Sequence, residues 1–147
     1  MKEDVGNLWT YPADAIVITT NGFVKKNGEA VMGRGCAWEA AQIMPWLPES
    51  LGLSLKRDGN IVQNFGFRSE IGKWLLSMPV KHNWFESADI NLIEESAHGL
   101  RYLAHIYQLD NIVMPRPGCG NGNLDWAKVK PILENILDDR FVVITWG

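Results

Sequence analysis

Two glycine-rich segments contain residue types that suit phosphate binding. Glycine occupies every second position at Gly118, Gly120 and Gly122, and it recurs at Gly33 and Gly35. Because glycine has no Cβ, successive main-chain N–H groups can approach a phosphate closely, and a helix N-terminus behind them adds a favourable dipole. Two such loops side by side predict a diphosphate site, with a flexible connection as the alternative for each.

The two segments match neither of the common nucleotide-binding motifs. No Lys-Ser or Lys-Thr pair follows Gly122, and Trp38 stands where a dinucleotide-binding pattern starting at Gly33 needs glycine. These differences argue against nucleoside-triphosphate hydrolysis and dinucleotide redox chemistry. A phosphate-binding loop without either activity remains.

The cysteines and histidines do not indicate a metal site. Cys36, Cys119 and the three histidines show none of the paired spacings typical of zinc ligands, so we expect no metal and no redox cofactor. Cys119 precedes a predicted helix, where thiol pKa values fall, so it is either reactive or a small residue packed under its loop. Unpaired cysteines are typical of a reducing compartment, so we expect a cytoplasmic protein.

The composition is that of an ordinary globular domain. The chain has 147 residues, of which 46% are hydrophobic and 21% charged, and its formal net charge is −3. These values exclude disordered and collagen-like chains, and we expect one domain over residues 1–147. No apolar stretch is long enough to cross a membrane. No basic cluster suits general duplex-DNA binding, so a nucleic-acid partner would be held by local contacts.

Apolar runs rich in β-branched residues predict buried strands. These cover residues 15–20, 112–114 and 141–145, and weaker strands are predicted at residues 5–10, 60–65 and 74–78. Long stretches separate the strong strands, which favours parallel pairing through helical crossovers.

Apolar residues at steps of three and four predict helices over residues 35–43, 88–107 and 125–137. We expect Pro45 and Pro48 to close the first, and Ser87 or Asp89 to cap the second. Pro131 is compatible with the third only if that helix begins late. The element order predicts an α/β sandwich around a mixed sheet, with ligands bound at the carboxyl ends of the parallel strands.

Four sequence blocks together resemble the macrodomain family. They are GNLW at residues 6–9, ADAIVITTNG at 13–22, MGRGCA at 32–37 and PGCGNGNLDW at 117–126. The blocks occur in the family's order and cover nearly the whole chain. The last block resembles the branch that contains terminal ADP-ribose protein glycohydrolase and the antitoxin macrodomains that remove ADP-ribose from DNA.

The resemblance implies a three-layer α/β/α fold with a central mixed, mostly parallel, six-stranded sheet, and a site for ADP-ribose. In such a site the glycine loops hold the diphosphate, Asn21 faces the distal ribose and Trp146 stacks on the adenine. Asn7 replaces an aspartate that usually binds the adenine amino group, and it keeps an acceptor oxygen without the charge. The implied ligand-binding residues are Asn7, Leu8, Asn21, Gly33, Arg34, Gly35, Cys36, Ala37, Pro117, Gly118, Cys119, Gly120, Asn121, Gly122 and Trp146.

Lys81 matches a catalytic lysine of this branch. The resemblance implies that it acts on the anomeric carbon of an opened ribose, as a Schiff-base lysine does, or that it orients the ADP-ribosyl group. A solvated loop lysine is the alternative. The protein glycohydrolase also has an acidic residue where this chain has Gly122. Either another carboxylate such as Glu29 transfers the proton, or the substrate is nucleic acid, as for the antitoxin macrodomains, which resemble this chain in having glycine there.

Three functions remain open from the sequence. The first is a glycohydrolase that removes ADP-ribose from nucleic acid, including thymine-linked DNA, or from acidic side chains of protein. The second is an ADP-ribose 1″-phosphate phosphatase, and the third is a reader that binds ADP-ribose without turnover. The expected partner is ADP-ribose or an ADP-ribosylated macromolecule and not a membrane, and the expected state is a monomer.

Overall fold

Six strands form one mixed sheet in the computed structural model, which describes residues 1–146. The strands are β1 (Lys2–Val5), β2 (Ala15–Asn21), β3 (Gln63–Arg68), β4 (Lys73–Lys81), β5 (Ile112–Met114) and β6 (Phe141–Thr145). They lie in the order β1-β6-β5-β2-β4-β3, and each neighbouring pair is parallel except β3 and β4. The predicted mixed, mostly parallel, six-stranded sheet is confirmed.

Helices cover both faces of this sheet. They are α1 (Cys36–Ile43), α2 (Leu47–Asp58), α3 (Ile90–Ile106) and α4 (Trp126–Glu134). Successive side chains of a strand point to opposite faces, so Val17 of β2 packs in the cluster with α3 and α4, whereas Ile16 and Ile18 pack with α1 and the start of α2. This is the three-layer α/β/α arrangement that the resemblance implied. None of the helices within residues 1–146 has the length and apolar character needed to span a membrane.

The strong sequence patterns predicted their elements closely. β2, β5 and β6 lie where the β-branched runs predicted them. α3 begins after Asp89, whose carboxylate accepts a hydrogen bond of 2.9 Å from the N–H of Asn91. α4 likewise begins after Asp125, whose carboxylate accepts a bond of 3.1 Å from the N–H of Ala127. Both caps satisfy N–H groups that the first helical turn leaves without partners.

The weaker strand patterns were misplaced. The strand predicted at residues 5–10 lies instead at Lys2–Val5, where all four side chains are exposed and give no apolar alternation. Leu8 is buried but belongs to a turn, so its apolar character did not indicate a strand. β3 and β4 begin and end up to three residues away from their predicted bounds.

Proline misled the helix predictions twice. Pro48 lies in the first turn of α2, where its missing N–H leaves no hydrogen bond unmade, so it starts a helix that was not predicted and does not close α1. Pro131 lies inside α4, which begins at the predicted place and ends at Glu134. The expectation that this helix must begin late is therefore wrong, and the helix tolerates the loss of one main-chain hydrogen bond at an exposed position.

Candidate functional site

A cleft opens at the carboxyl ends of the parallel strands. The ends of β2, β4 and β6 line it, together with the loop that follows β5. Its volume is about 1080 Å³, which accommodates a ligand the size of a dinucleotide. Both glycine-rich segments lie on its walls, so the fold brings them together.

Packing requires glycine at two positions of the long glycine loop (residues 115–125), which joins β5 to α4. Gly118 has a left-handed backbone, with φ of 73°, and a Cβ there would lie 2.8 Å from Cδ1 of Ile93. A Cβ at Gly122 would lie 2.5 Å from the main-chain oxygen of Gly118. Gly120 differs, because a Cβ there would meet no atom within 4 Å. The space beside Gly120 is therefore open to a ligand.

The short glycine loop (residues 32–35) ends at the N-terminus of α1. Gly33 and Gly35 both have left-handed backbones, with φ of 66° and 71°. Gly35 is the N-cap of α1 and supplies no side-chain cap, so the first N–H groups of the helix are left for a ligand. A Cβ at Gly35 would lie 3.7 Å from Nδ2 of Asn121, so the two glycine loops approach each other across the cleft.

Lys81 is the last residue of β4 and lines the cleft. Its ammonium donates a hydrogen bond of 3.0 Å to the main-chain oxygen of Asn121 in the long glycine loop. The main-chain oxygen of Lys81 accepts bonds of 3.2 Å from the N–H of Gly22 and 3.0 Å from Nδ2 of Asn60. The main chain of Lys81 is thus held in place, while its side chain reaches from the sheet to the long glycine loop.

The buried side chain of Asn21 forms two hydrogen bonds with the main chain of the protein. Its Nδ2 donates a hydrogen bond of 2.9 Å to the main-chain oxygen of Val31, and its Oδ1 accepts one of 2.9 Å from the N–H of Phe23. An amide keeps one further N–H and one further lone pair beyond these contacts. Asn21 therefore holds the segment that leads to the short glycine loop, and it retains groups that can meet a ligand.

Cations outnumber carboxylates among the described residues that line the cleft. The cations are Arg34, Lys81 and Arg116, and the carboxylates are Glu39 and Asp125. This balance suits an anionic ligand such as a diphosphate. Asp125 caps α4, and Glu39 lies in the first turn of α1.

Three of the predicted ligand-binding residues are not among the residues within 1–146 that line the cleft. Asn7 is exposed, and its Oδ1 accepts a hydrogen bond of 2.8 Å from the N–H of Trp9. Ala37 is buried in α1, and Pro117 is buried in the long glycine loop. The other predicted residues all line the cleft, including Trp146 at the end of β6.

Neither cysteine in the cleft has the pKa of an activated nucleophile. Burial raises the pKa of the Cys36 thiol, against the opposing effect of its contact with Thr19. Burial also raises the pKa of the Cys119 thiol, and the nearby Arg116 opposes it. Of the two interpretations of Cys119, the structure supports a small residue packed under its loop and not a reactive thiol with a lowered pKa, because desolvation outweighs the nearby positive charge.

Glu29 and His82 have structural partners of their own. Glu29 lies in a turn away from the cleft lining, where its carboxylate accepts a hydrogen bond of 3.0 Å from Nδ2 of Asn27. Nε2 of His82 lies 2.8 Å from Oδ2 of Asp89, and this bond is the main cause of the lowered pKa of Asp89. Of these two glutamates, Glu39 lines the cleft and Glu29 does not.

The cleft also contains residues that were not among the predicted ligand-binding residues. Those with polar or aromatic side chains are Thr19, Thr20, Glu39, Trp84, Arg116, Asn123, Asp125 and Trp126. The guanidinium of Arg116 lies 5.0 Å from the ring centroid of Trp126, a cation–π contact. The signal that could have identified Arg116 is its place in the glycine-rich loop, two residues after the buried strand β5. Glu39 and Trp84 depend on how a helix and a turn face the sheet, which no local pattern shows.

The same fold occurs in solved macrodomain structures. The macrodomain of Mycobacterium tuberculosis DarG matches with a TM-score of 0.80 at 22% identity, covering 97% of this chain and 95% of that chain. Thermosipho africanus DarTG, solved in complex with ADP-ribose, matches with a TM-score of 0.84 at 18% identity, covering 99% of this chain and 42% of that chain. The chain therefore has the macrodomain fold.

Within this class the chain is similar to the DarG type. The DNA ADP-ribosyl glycohydrolase of Thermus aquaticus is 25% identical over 146 aligned residues, which cover 96% of this chain. The chain spans only 39% of the length of that relative. No protein-family model matches the chain.

Proposed function

We propose that this macrodomain binds ADP-ribose in the cleft and hydrolyses the bond that joins the ADP-ribosyl group to a modified macromolecule. DNA is the proposed acceptor, because the Thermus aquaticus relative is named a DNA ADP-ribosyl glycohydrolase. The observation that carries the proposal is the position of Lys81, whose ammonium lies between the end of β4 and the long glycine loop.

The span of the cleft suits the length of ADP-ribose. β6 and β4 are separated in the sheet by β5 and β2, so their ends lie about 14 Å apart at a strand spacing of roughly 4.8 Å. Trp146 follows β6, and Lys81 ends β4. We therefore place the adenine against Trp146, the diphosphate between the glycine loops and the terminal ribose at Lys81.

The proposed reaction needs only water as a co-reactant. The bond between C1″ and the acceptor breaks, water supplies the new oxygen on C1″, and the acceptor leaves with a proton. Lys81 either orients the ribosyl group or, as an amine, attacks C1″ of the opened ribose and displaces the acceptor. In the second case water hydrolyses the resulting imine, which releases ADP-ribose and restores the Lys81 amine. Glu39 is the group we propose for proton transfer, because of the two carboxylates that line the described cleft it is the one that does not cap a helix.

A reader that binds ADP-ribose without turnover is the second candidate function. The packing of Gly122 favours it, since this position lacks the acid that the protein glycohydrolase has there, and a Cβ would lie 2.5 Å from the oxygen of Gly118. A reader would use the cleft and the glycine loops in the same way. The two functions differ only in turnover.

The test compares the protein with its Lys81→Ala variant on three substrates. These are single-stranded DNA ADP-ribosylated on thymine, a protein ADP-ribosylated on glutamate, and ADP-ribose 1″-phosphate. We expect the protein to release ADP-ribose from the modified DNA and the variant to release it at least about 100-fold more slowly. Turnover of the phosphate substrate alone would make the protein a phosphatase. Calorimetric binding of ADP-ribose without any product would make it a reader.

A further inference from the structure

An aromatic platform, formed by Phe23, Trp84 and Phe85, lies beside the Lys81 end of the cleft. The ring centroid of Phe85 lies 5.5 Å from that of Trp84 and 6.4 Å from that of Phe23, with interplanar angles of 89° and 71°. Trp84 is 52% exposed and Phe85 is 63% exposed. Because Trp84 also lines the cleft, the platform continues the cleft outward as an apolar surface.

Main-chain contacts hold the platform next to Lys81. Gly22, which directly precedes Phe23, donates its N–H to the main-chain oxygens of Lys81 and His82 at 3.2 and 3.1 Å. The ends of β2 and β4 are therefore joined where the platform begins. Whatever is attached to the terminal ribose at Lys81 must leave the cleft near these rings.

A tight turn holds the two most exposed rings in solvent. The N–H of Glu86 donates to the main-chain oxygen of Asn83 at 3.2 Å, and Nδ2 of Asn83 donates to Oε1 of Glu86 at 2.6 Å. Trp84 and Phe85 are the two residues between them. The turn thus leaves both rings outside the core and more than half exposed.

A basic tip follows the platform along the chain. Lys25 and Lys26 lie two and three residues after Phe23, in the hairpin of residues 24–30. Both are exposed, and within residues 1–146 neither forms an ion pair. The ammonium of Lys56 lies against the same hairpin. Lys25, Lys26 and Lys56 therefore gather at this hairpin, which also carries the carboxylate of Glu29.

We propose that the platform and the basic tip bind the single strand of nucleic acid that carries the ADP-ribosyl group, an inference that rests on the function proposed above. Bases next to the modified nucleotide stack on Trp84 and Phe85, and the phosphates between them contact Lys25 and Lys26. Exposed aromatic faces combined with lysines are the usual means of binding single strands without sequence preference. Bases in a duplex are stacked on each other and cannot present their faces to the rings.

The test measures equilibrium binding in a Lys81→Ala background, so that turnover does not consume the ligand. The ligands are a labelled single-stranded oligonucleotide ADP-ribosylated on a central thymine, an ADP-ribosylated peptide and free ADP-ribose. We expect the modified oligonucleotide to bind about ten times more tightly than free ADP-ribose, and Phe85→Ala to remove most of this excess. Phe67→Ala is the matched control, because Phe67 is 57% exposed and pairs with Trp74 at the opposite end of β4.

A second variant tests the lysines by the salt dependence of binding. Each phosphate contact with a single strand contributes about 0.7 to the slope of log affinity against log salt concentration. The double variant Lys25→Ala/Lys26→Ala loses two such contacts, so its slope for the modified oligonucleotide should be smaller in magnitude by about 1.4. The affinity for free ADP-ribose should be the same in this variant and in Phe85→Ala, because none of the three residues lines the cleft.

Two results would overturn this inference alone. One is a normal affinity for free ADP-ribose together with an excess for the oligonucleotide that survives Phe85→Ala. The other is binding of the modified peptide that is weakened by Phe85→Ala as strongly as binding of the oligonucleotide is. A protein that does not bind free ADP-ribose would overturn the proposed function and the inference together, so the two failures are distinguishable.

Discussion

The ammonium of Lys81 donates a hydrogen bond of 3.0 Å to the main-chain oxygen of Asn121, and this bond ties the end of a central strand to the long glycine loop. The two residues lie 40 positions apart in the chain. The bond is exposed, so a ligand can take over either partner without leaving a buried polar group unsatisfied. The ammonium of Lys81 is thus held near the long glycine loop by a bond that a ligand can replace.

Replacement of Lys81 should separate turnover from binding. Lys81→Ala should lower the turnover of an ADP-ribosylated substrate by about 100-fold or more, as expected when a positioned catalytic group is lost. The affinity for ADP-ribose should change little. Lys81→Arg keeps a cation but not an amine nucleophile, because guanidinium stays protonated. In single-turnover assays, partial recovery by arginine indicates orientation and no recovery indicates amine attack. Unchanged turnover in Lys81→Ala would exclude Lys81 from the mechanism.

Two glycines of the same loop should respond differently to a side chain. Gly120→Val should abolish ADP-ribose binding without unfolding the protein, since its side chain would enter open space in the cleft. Gly122→Ala is the matched change, and it should cost about 1–3 kcal/mol of unfolding free energy through overpacking. Calorimetry and urea denaturation measure the two effects. If Gly120→Val keeps its affinity, the glycine loops do not hold the diphosphate.

Loss of the Trp146 ring should weaken binding of the adenine end of the ligand. Trp146→Ala should lower the affinity for ADP-ribose and for ADP by about ten-fold, the usual worth of one base stacked on an aromatic ring. Ribose phosphate, which has no base, should bind equally well to both proteins. Trp38→Ala is the control, because Trp38 is 53% exposed but does not line the cleft. An equal loss in both variants, measured by calorimetry, would contradict stacking on Trp146.

The cap of α3 should make stability depend on pH. Asp89→Ala should destabilise the protein by about 1 kcal/mol at neutral pH, the typical value of an N-cap. Bonds from His82 and from the N–H of Asn91 lower the pKa of Asp89. The pKa of Asp89 is therefore lower in the folded protein than in the unfolded chain, where it is near 3.9. The charged carboxylate stabilises the fold at a pH above the unfolded-state pKa, and this stabilisation is lost as the pH falls through the folded-state pKa.

The stability difference between the protein and Asp89→Ala, measured by urea denaturation, should therefore shrink below about pH 4. Asp89→Asn serves as the control, since it keeps a capping oxygen without the charge. A difference that stays constant down to pH 3 would show that the charge of Asp89 has no part in the stability.

Elements with strong local patterns were predictable because their signals lie within a few residues. β2 is a β-branched run, and Asp89 and Asp125 stand directly before α3 and α4. A strand without a local apolar pattern, whose position depends on pairing within the sheet, could not be predicted in this way. β1 exposes all its side chains because it is an edge strand, so it has no apolar pattern to read.

The sequence by itself determined which residue types gather at the site, because a parallel sheet brings the carboxyl ends of its strands to one edge. Both glycine loops and Lys81 lie at or beyond strand ends, so their meeting was predictable. Only the tertiary structure decided which side chains line the cleft. Glu39, and not Glu29, lines the cleft because of how α1 docks on the sheet. The pKa of Cys119 is likewise set by burial among residues distant in the chain, which no local pattern contains.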